Sequence, residues 1–171
     1  MPSFVNSLSK IALTLGAICL MLSCKRNSIY QGEGVDFLQG NWIQESVPYQ
    51  DSLLQYQLHE FRFTCDSVYI KIQQYARART IPEECYNNGN WEEYAKGVYL
   101  IRNDSLLIEA TYTYQDGKQK LRGCYHIGQY LDHFKIQKQT RDSLALMSKN
   151  SHIPIRLRKT STTTCSPQKA F

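Results

Sequence analysis

The sequence predicts an all-β fold, an antiparallel up-and-down meander of 8–9 strands closed into a barrel. Three observations carry this. From Phe37 onward, apolar and polar residues alternate in short runs rich in Tyr, Ile, Val, Thr and Phe, the pattern of strands with one buried face. The pair Asp-Ser, followed by Leu or Val, occurs at Asp51, Asp66, Asp104 and Asp142, and the last three are spaced 38 residues apart. Asp and Ser side chains bond the local backbone and favour reversals, so each of these three pairs reads as a hairpin. Finally, every connection is short except 76–92, and eight or more strands joined this way close because closure leaves no edge unpaired.

The elements follow in order. A first strand at 39–46 contains Gly40 and Trp42. Strands at 55–65 and 67–75 flank Asp66-Ser67, with Phe61 and Phe63 on one side and Val68, Ile70 and Ile72 on the other. The long connection 76–92 holds Pro82, Asn87, Asn88 and Gly89. Strands at 93–102 and 105–115 flank Asp104-Ser105. Asp116-Gly117 reads as a hairpin at the opposite end, leading into a strand at 118–130 in which Leu121, Gly123, Tyr125 and Ile127 share a face. Strands at 133–140 and 143–148 flank Asp142-Ser143, and a ninth run at 153–160 sets Ile153, Ile155 and Leu157 against Arg156 and Arg158. No window outside 49–57 holds the spacing of an amphipathic helix.

The first 23 residues read as a leader. Lys10 precedes an apolar run at 11–22, whose helix of roughly 18 Å falls short of about 30 Å of hydrocarbon. Cleavage is expected rather than spanning. Met21-Leu22-Ser23-Cys24 resembles the lipobox of bacterial lipoproteins. The resemblance implies that Cys24 becomes the first residue and carries the lipid, palmitate among its acyl chains. A polar tether is then expected at 24–36, one domain at 37–160 and a tail at 161–171. Lys25 rather than Asp follows Cys24, so the expected location is the cell envelope, on the outer membrane rather than the inner.

Lys10 is the single charge in 1–23, so 19 Lys and Arg face 15 Asp and Glu in the remainder. That mild excess is spread along the chain and lacks the basic stripe of a nucleic-acid binder. Of six cysteines, Cys19 leaves with the leader and Cys24 takes the lipid. Cys65, Cys85, Cys124 and Cys165 remain, without Cys-x-x-Cys or Cys-His clustering, so disulfides are expected rather than a metal. Strand parity selects the pairs. With the Asp-Ser turns at one end, Cys65 lies there, and a last strand returning to that end brings Cys165 beside it. Cys85 in the long loop and Cys124 after Asp116-Gly117 share the other end. The expected bridges are Cys65–Cys165 and Cys85–Cys124.

Leu38-x-Gly40-x-Trp42, following a lipobox-like Cys24, resembles the opening of small lipocalin-like envelope lipoproteins. The resemblance implies that Gly40 and Trp42 are structural, with the Trp across the barrel floor. It also implies a site for a small apolar or amphipathic ligand within the barrel. No second lipocalin motif is present, and the 76–92 loop has no counterpart. Some similar chains carry the name fumarate hydratase. The fumarase signature Gly-Ser-Ser-x-Met-Pro and an iron–sulfur ligand set are both missing from this sequence.

No catalytic residue, metal site or cofactor is expected from the motifs. The four histidines, His59, His126, His133 and His152, lack metal-ligand spacing, and Gly-x-Ser-x-Gly and phosphate-binding glycine loops are missing. His126 is expected to make a surface or cross-strand hydrogen bond. Glu83-Glu84 and Glu92-Glu93 read as solvated loop charge. The aromatics say more: twelve tyrosines lie along the strands. By period-two alternation Phe61, Phe63, Ile70, Ile72, Tyr112, Tyr114 and Tyr125 are expected to face inward and line a ligand site, with Arg77, Arg79 and Lys96 near the open end to meet an acidic head group. A barrel filled by its own side chains, serving as a contact partner for other envelope proteins, is the alternative expectation.

Overall fold

The computed structural model describes residues 32–166; the leader, Cys24 and Lys25 lie outside them. Eight strands form one closed antiparallel barrel in chain order: β1 (Gly40–Gln44), β2 (Gln55–Thr64), β3 (Ser67–Ala76), β4 (Asn90–Arg102), β5 (Ser105–Thr113), β6 (Gln129–Gln139), β7 (Ser143–Ser148) and β8 (Ile155–Ser161). β8 returns to β1 through Trp42↔Lys159 and Ile43↔Arg158. The all-β, up-and-down closed barrel read from the alternation is the observed fold. In β3, Val68, Ile70, Ile72, Gln74 and Ala76 are buried while their neighbours are part-exposed, as a two-residue side-chain period requires.

The three evenly spaced Asp-Ser pairs lie at one end, joining β2 to β3, β4 to β5 and β6 to β7. Cys65 and Asn103 take left-handed φ values of 54° and 57° in the first two turns. Each Asp carbonyl accepts a backbone N–H from the next hairpin or strand along: Asp66 from Tyr99 (3.0 Å), Asp104 from Ile136 (2.7 Å) and Asp142 from Lys159 (2.9 Å). The repeat therefore marks hairpins and also stitches them together. Asp51-Ser52 lies at the other end, in a 3-10 turn at Gln50–Ser52.

One expected strand is not formed. The hairpin at Asp116-Gly117 exists, with Tyr114 N–H bonded to Lys118 O and Lys120 N–H to Tyr112 O. Its return arm stops there. Gly123, Tyr125 and Gly128 have φ of 108°, 68° and 80°, which no extended strand can hold. Residues 114–128 thus form a loop, and the separate strands expected at 118–130 and 133–140 are replaced by the single strand β6. This correction also keeps the Asp142-Ser143 turn at the same end as the other two, since two strands there would have reversed the parity.

Both expected disulfides are present. Cys65–Cys165 ties the segment after β8 to the β2–β3 turn, with Cα atoms 4.9 Å apart. Cys85–Cys124 joins the four-residue helix α1 (Glu83–Tyr86), inside the long β3–β4 connection, to the 114–128 loop, with Cα atoms 5.4 Å apart. The tether expected to run to residue 36 packs earlier than that. Gly32 N–H donates to Asp66 Oδ2 (2.8 Å) and Val35 N–H to Tyr99 Oη (3.0 Å).

The closed end is sealed by Trp42, which is fully buried. Its indole N–H donates to Leu38 O at 2.7 Å, and Lys159 Nζ lies 4.6 Å from its ring centroid while donating to Phe37 O. Gln39 clamps the Cys65 peptide from both sides: Oε1 accepts its N–H (2.7 Å) and Nε2 donates to its carbonyl (2.8 Å). Gly40 has φ of 124°, and a Cβ there would fall 2.0 Å from Ser161 O, so only glycine lets β1 and β8 approach this closely. Above the floor, Phe61 stacks on Phe63 (5.8 Å) and meets Phe134 edge-on (6.2 Å). The lower barrel is a packed core.

Candidate functional site

The interior changes character toward the open end. Along β2 the inward face runs Phe63, Phe61, His59, Gln57, and along β3 Val68, Ile70, Ile72, Gln74. Glu93 on β4, Asp132 on β6 and Ser148 on β7 continue the polar level. Above this level opens a cup of about 380 Å³. His59, Gln74, Asp132 and Ser148 line it on the polar side, and Leu53, Ile153 and Pro154 from the rim loops on the apolar side.

The polar groups are organised rather than scattered. His59 is 3% exposed, and its ring stacks on Phe61 with centroids 5.7 Å apart. Its Nδ1 lies 3.0 Å from Gln44 Oε1. Gln74 Nε2 donates to Gln57 Oε1 and to Glu93 Oε2, both at 3.1 Å. Glu93 Oε1 accepts the backbone N–H of His126 (2.9 Å) and lies 2.8 Å from its Nδ1. Asp132 Oδ1 accepts from Ser148 Oγ (2.9 Å) and from the His133 N–H (2.7 Å). Burial, with the charges of Glu93 and Asp132 adding to it, pushes the Tyr112 hydroxyl up to about 12. Burial raises Tyr130 well above the ordinary value, and Asp132 adds to that.

Burial also lowers His59 from the ordinary 6.5 to about 4. The native state therefore resists protonating a ring that the unfolded chain protonates freely. This contribution is complete above pH 6.5 and is lost as pH falls from there through 4, amounting to about 3 kcal/mol. Urea unfolding of the wild-type chain is expected to show this loss, and His59→Gln is expected to give a shallower acid limb over the same range.

The residues expected to line a ligand site divide. Phe61, Phe63, Ile70 and Ile72 do face inward, at 0–3% exposure, but they fill the floor beneath the cup. Tyr112 is part-buried between Tyr130 (5.6 Å, edge-on) and His126 (5.2 Å, stacked). Tyr114 is 44% exposed and donates to Arg122 O, outside the barrel. Tyr125 belongs to the 114–128 loop and stacks on Trp91 at 5.0 Å, because the strand that was to carry it inward is absent. Glu93, expected in solvent, is buried at 3%, because β4 begins at Asn90 rather than at 93. Arg77 and Arg79 are engaged by Asp51 and Glu83, and Lys96 lies on the outer face over Tyr69 (5.4 Å). None of the three lines the cup.

The closed barrel with a polar mouth defines the class of fold and the place of the candidate site. In comparison with known proteins, no family model, no curated protein and no solved structure matches the chain.

Proposed function

We propose that this protein is a lipocalin-like lipoprotein of the bacterial cell envelope, anchored in the outer membrane through Cys24, that binds a small amphipathic molecule at the mouth of its barrel. The observation that supports the binding reading is the division of the interior. The floor is filled, and above it opens a cup of about 380 Å³ with one polar and one apolar side. Concave sites with a few convergent polar groups over apolar walls suit such ligands. The lipobox-like Met21-Leu22-Ser23-Cys24 supports the anchor, and the buried Trp42 beside Gly40 supports the lipocalin-like reading.

Fumarate hydration draws no support from this site. A dicarboxylate needs cationic or donor groups converging on it, and the described residues that line the cup include the carboxylate of Asp132 and no lysine or arginine. A role in contacting another envelope protein is favoured by one observation. Val98 and Leu100 on β4 and Leu131 on β6 are 50%, 44% and 60% exposed on the outer face.

Two measurements test the reading. Cys24→Ala should move the chain from the membrane pellet to the soluble fraction, because a lipid anchor contributes about 0.8 kcal/mol per buried CH₂. A mutant that stays in the pellet after leader cleavage contradicts the anchor. The released chain should raise Nile red fluorescence, and Ile153→Trp, which intrudes on the cup from its rim, should reduce that rise. No enhancement in the parent chain contradicts binding at the mouth.

A further inference from the structure

We propose that the cup is a site for an organic ammonium compound, a protonated amine carried on a small apolar body. This rests on the mouth-binding reading above and adds the chemistry of the head group.

The argument begins with an amide. Gln44 Oε1 accepts the backbone N–H of His59 (3.2 Å), and Gln44 Nε2 donates to the carbonyl of Ser46 (3.3 Å). A backbone donor on one side and a backbone acceptor on the other fix which end of this amide is oxygen. An amide oxygen can only accept, so His59 Nδ1, 3.0 Å away, carries the ring proton. Nε2 of the neutral ring is then left with its lone pair. No group among the described residues donates to it, on a side chain only 3% exposed that lines the cup.

Gln74 is fixed by the same logic. Its Nε2 faces the Glu93 carboxylate and Gln57 Oε1, so both its protons are committed and its carbonyl oxygen remains an acceptor. Asp132 brings a third acceptor, and the one formal charge among the described residues of the lining, to the same space. His59, Gln74 and Asp132 thus present lone pairs from three strands, β2, β3 and β6, beside the amides of Gln55, Gln57 and Asn150 in the same lining. An ammonium group supplies three N–H donors and the matching charge, whereas a carboxylate brings lone pairs against lone pairs. The apolar body has Val47, Leu53 and Ile155 to cover it.

The test uses three probes of nearly equal size: phenethylamine, phenethyl alcohol and phenylacetate. Each is titrated into the full lipidated chain in nanodiscs, with empty nanodiscs subtracted. Phenethylamine should bind at least about tenfold more tightly than either other probe, and Asp132→Asn should abolish most of that preference. Phenethyl alcohol binding as tightly as the amine overturns the ammonium assignment, and so does an undiminished preference in Asp132→Asn. Tighter binding of phenylacetate overturns the acceptor reading of the head-group site while leaving mouth binding intact. If none of the three binds, both this proposal and the mouth-binding reading fall.

Discussion

Replacing Cys65 and Cys165 together by Ser is expected to lower stability by about 4–5 kcal/mol. The bridge spans 100 residues and six of the eight strands, so its removal returns more conformational freedom to the unfolded state than loss of Cys85–Cys124, which spans 39. The native side adds to this. Cys65 carries the peptide that Gln39 clamps, and its carbonyl also accepts from Tyr99 Oη at 2.8 Å. The bridge therefore holds the segment after β8 against the same turn that holds the N-terminal strap. Calorimetry should show a fall in Tm of about 10–20 °C. A double mutant that melts within a few degrees of the wild type would mean that the floor is held without its clip.

Trp42→Ala is expected to cost about 3–5 kcal/mol, the usual range for removing a large buried aromatic. The residue is fully buried and joins three parts of the floor: Leu38 through its indole N–H, Lys159 through its ring face, and the apolar core around it. Trp42→Phe keeps much of the packing but leaves the Leu38 carbonyl without its donor, so its loss should be smaller. Trp91 provides the contrast. It is nearly as buried, but its indole N–H has no partner among the described residues, so exchanging it for Phe removes no hydrogen bond seen there. Urea unfolding of the four proteins should rank Trp42→Ala lowest, and a Trp42→Phe as unstable as Trp42→Ala would assign the effect to the hydrogen bond rather than to volume.

The barrel was legible because its signals are local and periodic. Alternation placed Phe61, Phe63, Ile70 and Ile72 on inward faces, and the Asp-Ser turns, taken together as one end of the barrel, selected both disulfides, although the nine-strand count put Asp142-Ser143 at the other end. The reading failed at 114–128, where Leu121, Gly123, Tyr125 and Ile127 alternate as a strand would. Left-handed backbone at Gly123, Tyr125 and Gly128 defeats that pattern, and glycine permits such conformations without announcing them. The cup was harder to see because its members come from different strands. Period-two alternation does put His59 on the face of Phe61 and Phe63, and Gln74 on that of Ile70 and Ile72. A polar residue at an inward position was the available signal. Its meaning depends on closure, since only the closed barrel brings Asp132 of β6 to the same space as His59 of β2. Glu93 was hidden for a related reason: its neighbour Glu92 is exposed and pairs with Lys71 at 3.0 Å on the outer face, so the pair reads as uniformly solvated.

The central claim is that the mouth of the barrel is a built acceptor site, and the imidazole of His59 reports on it most directly. Nitrogen NMR of the ring at neutral pH should show a neutral histidine with the proton on Nδ1 and a bare Nε2, and adding phenethylamine should shift the Nε2 resonance as it accepts a hydrogen bond. A ring protonated on Nε2 or on both nitrogens, or an Nε2 resonance that saturating phenethylamine leaves unmoved, would contradict the account.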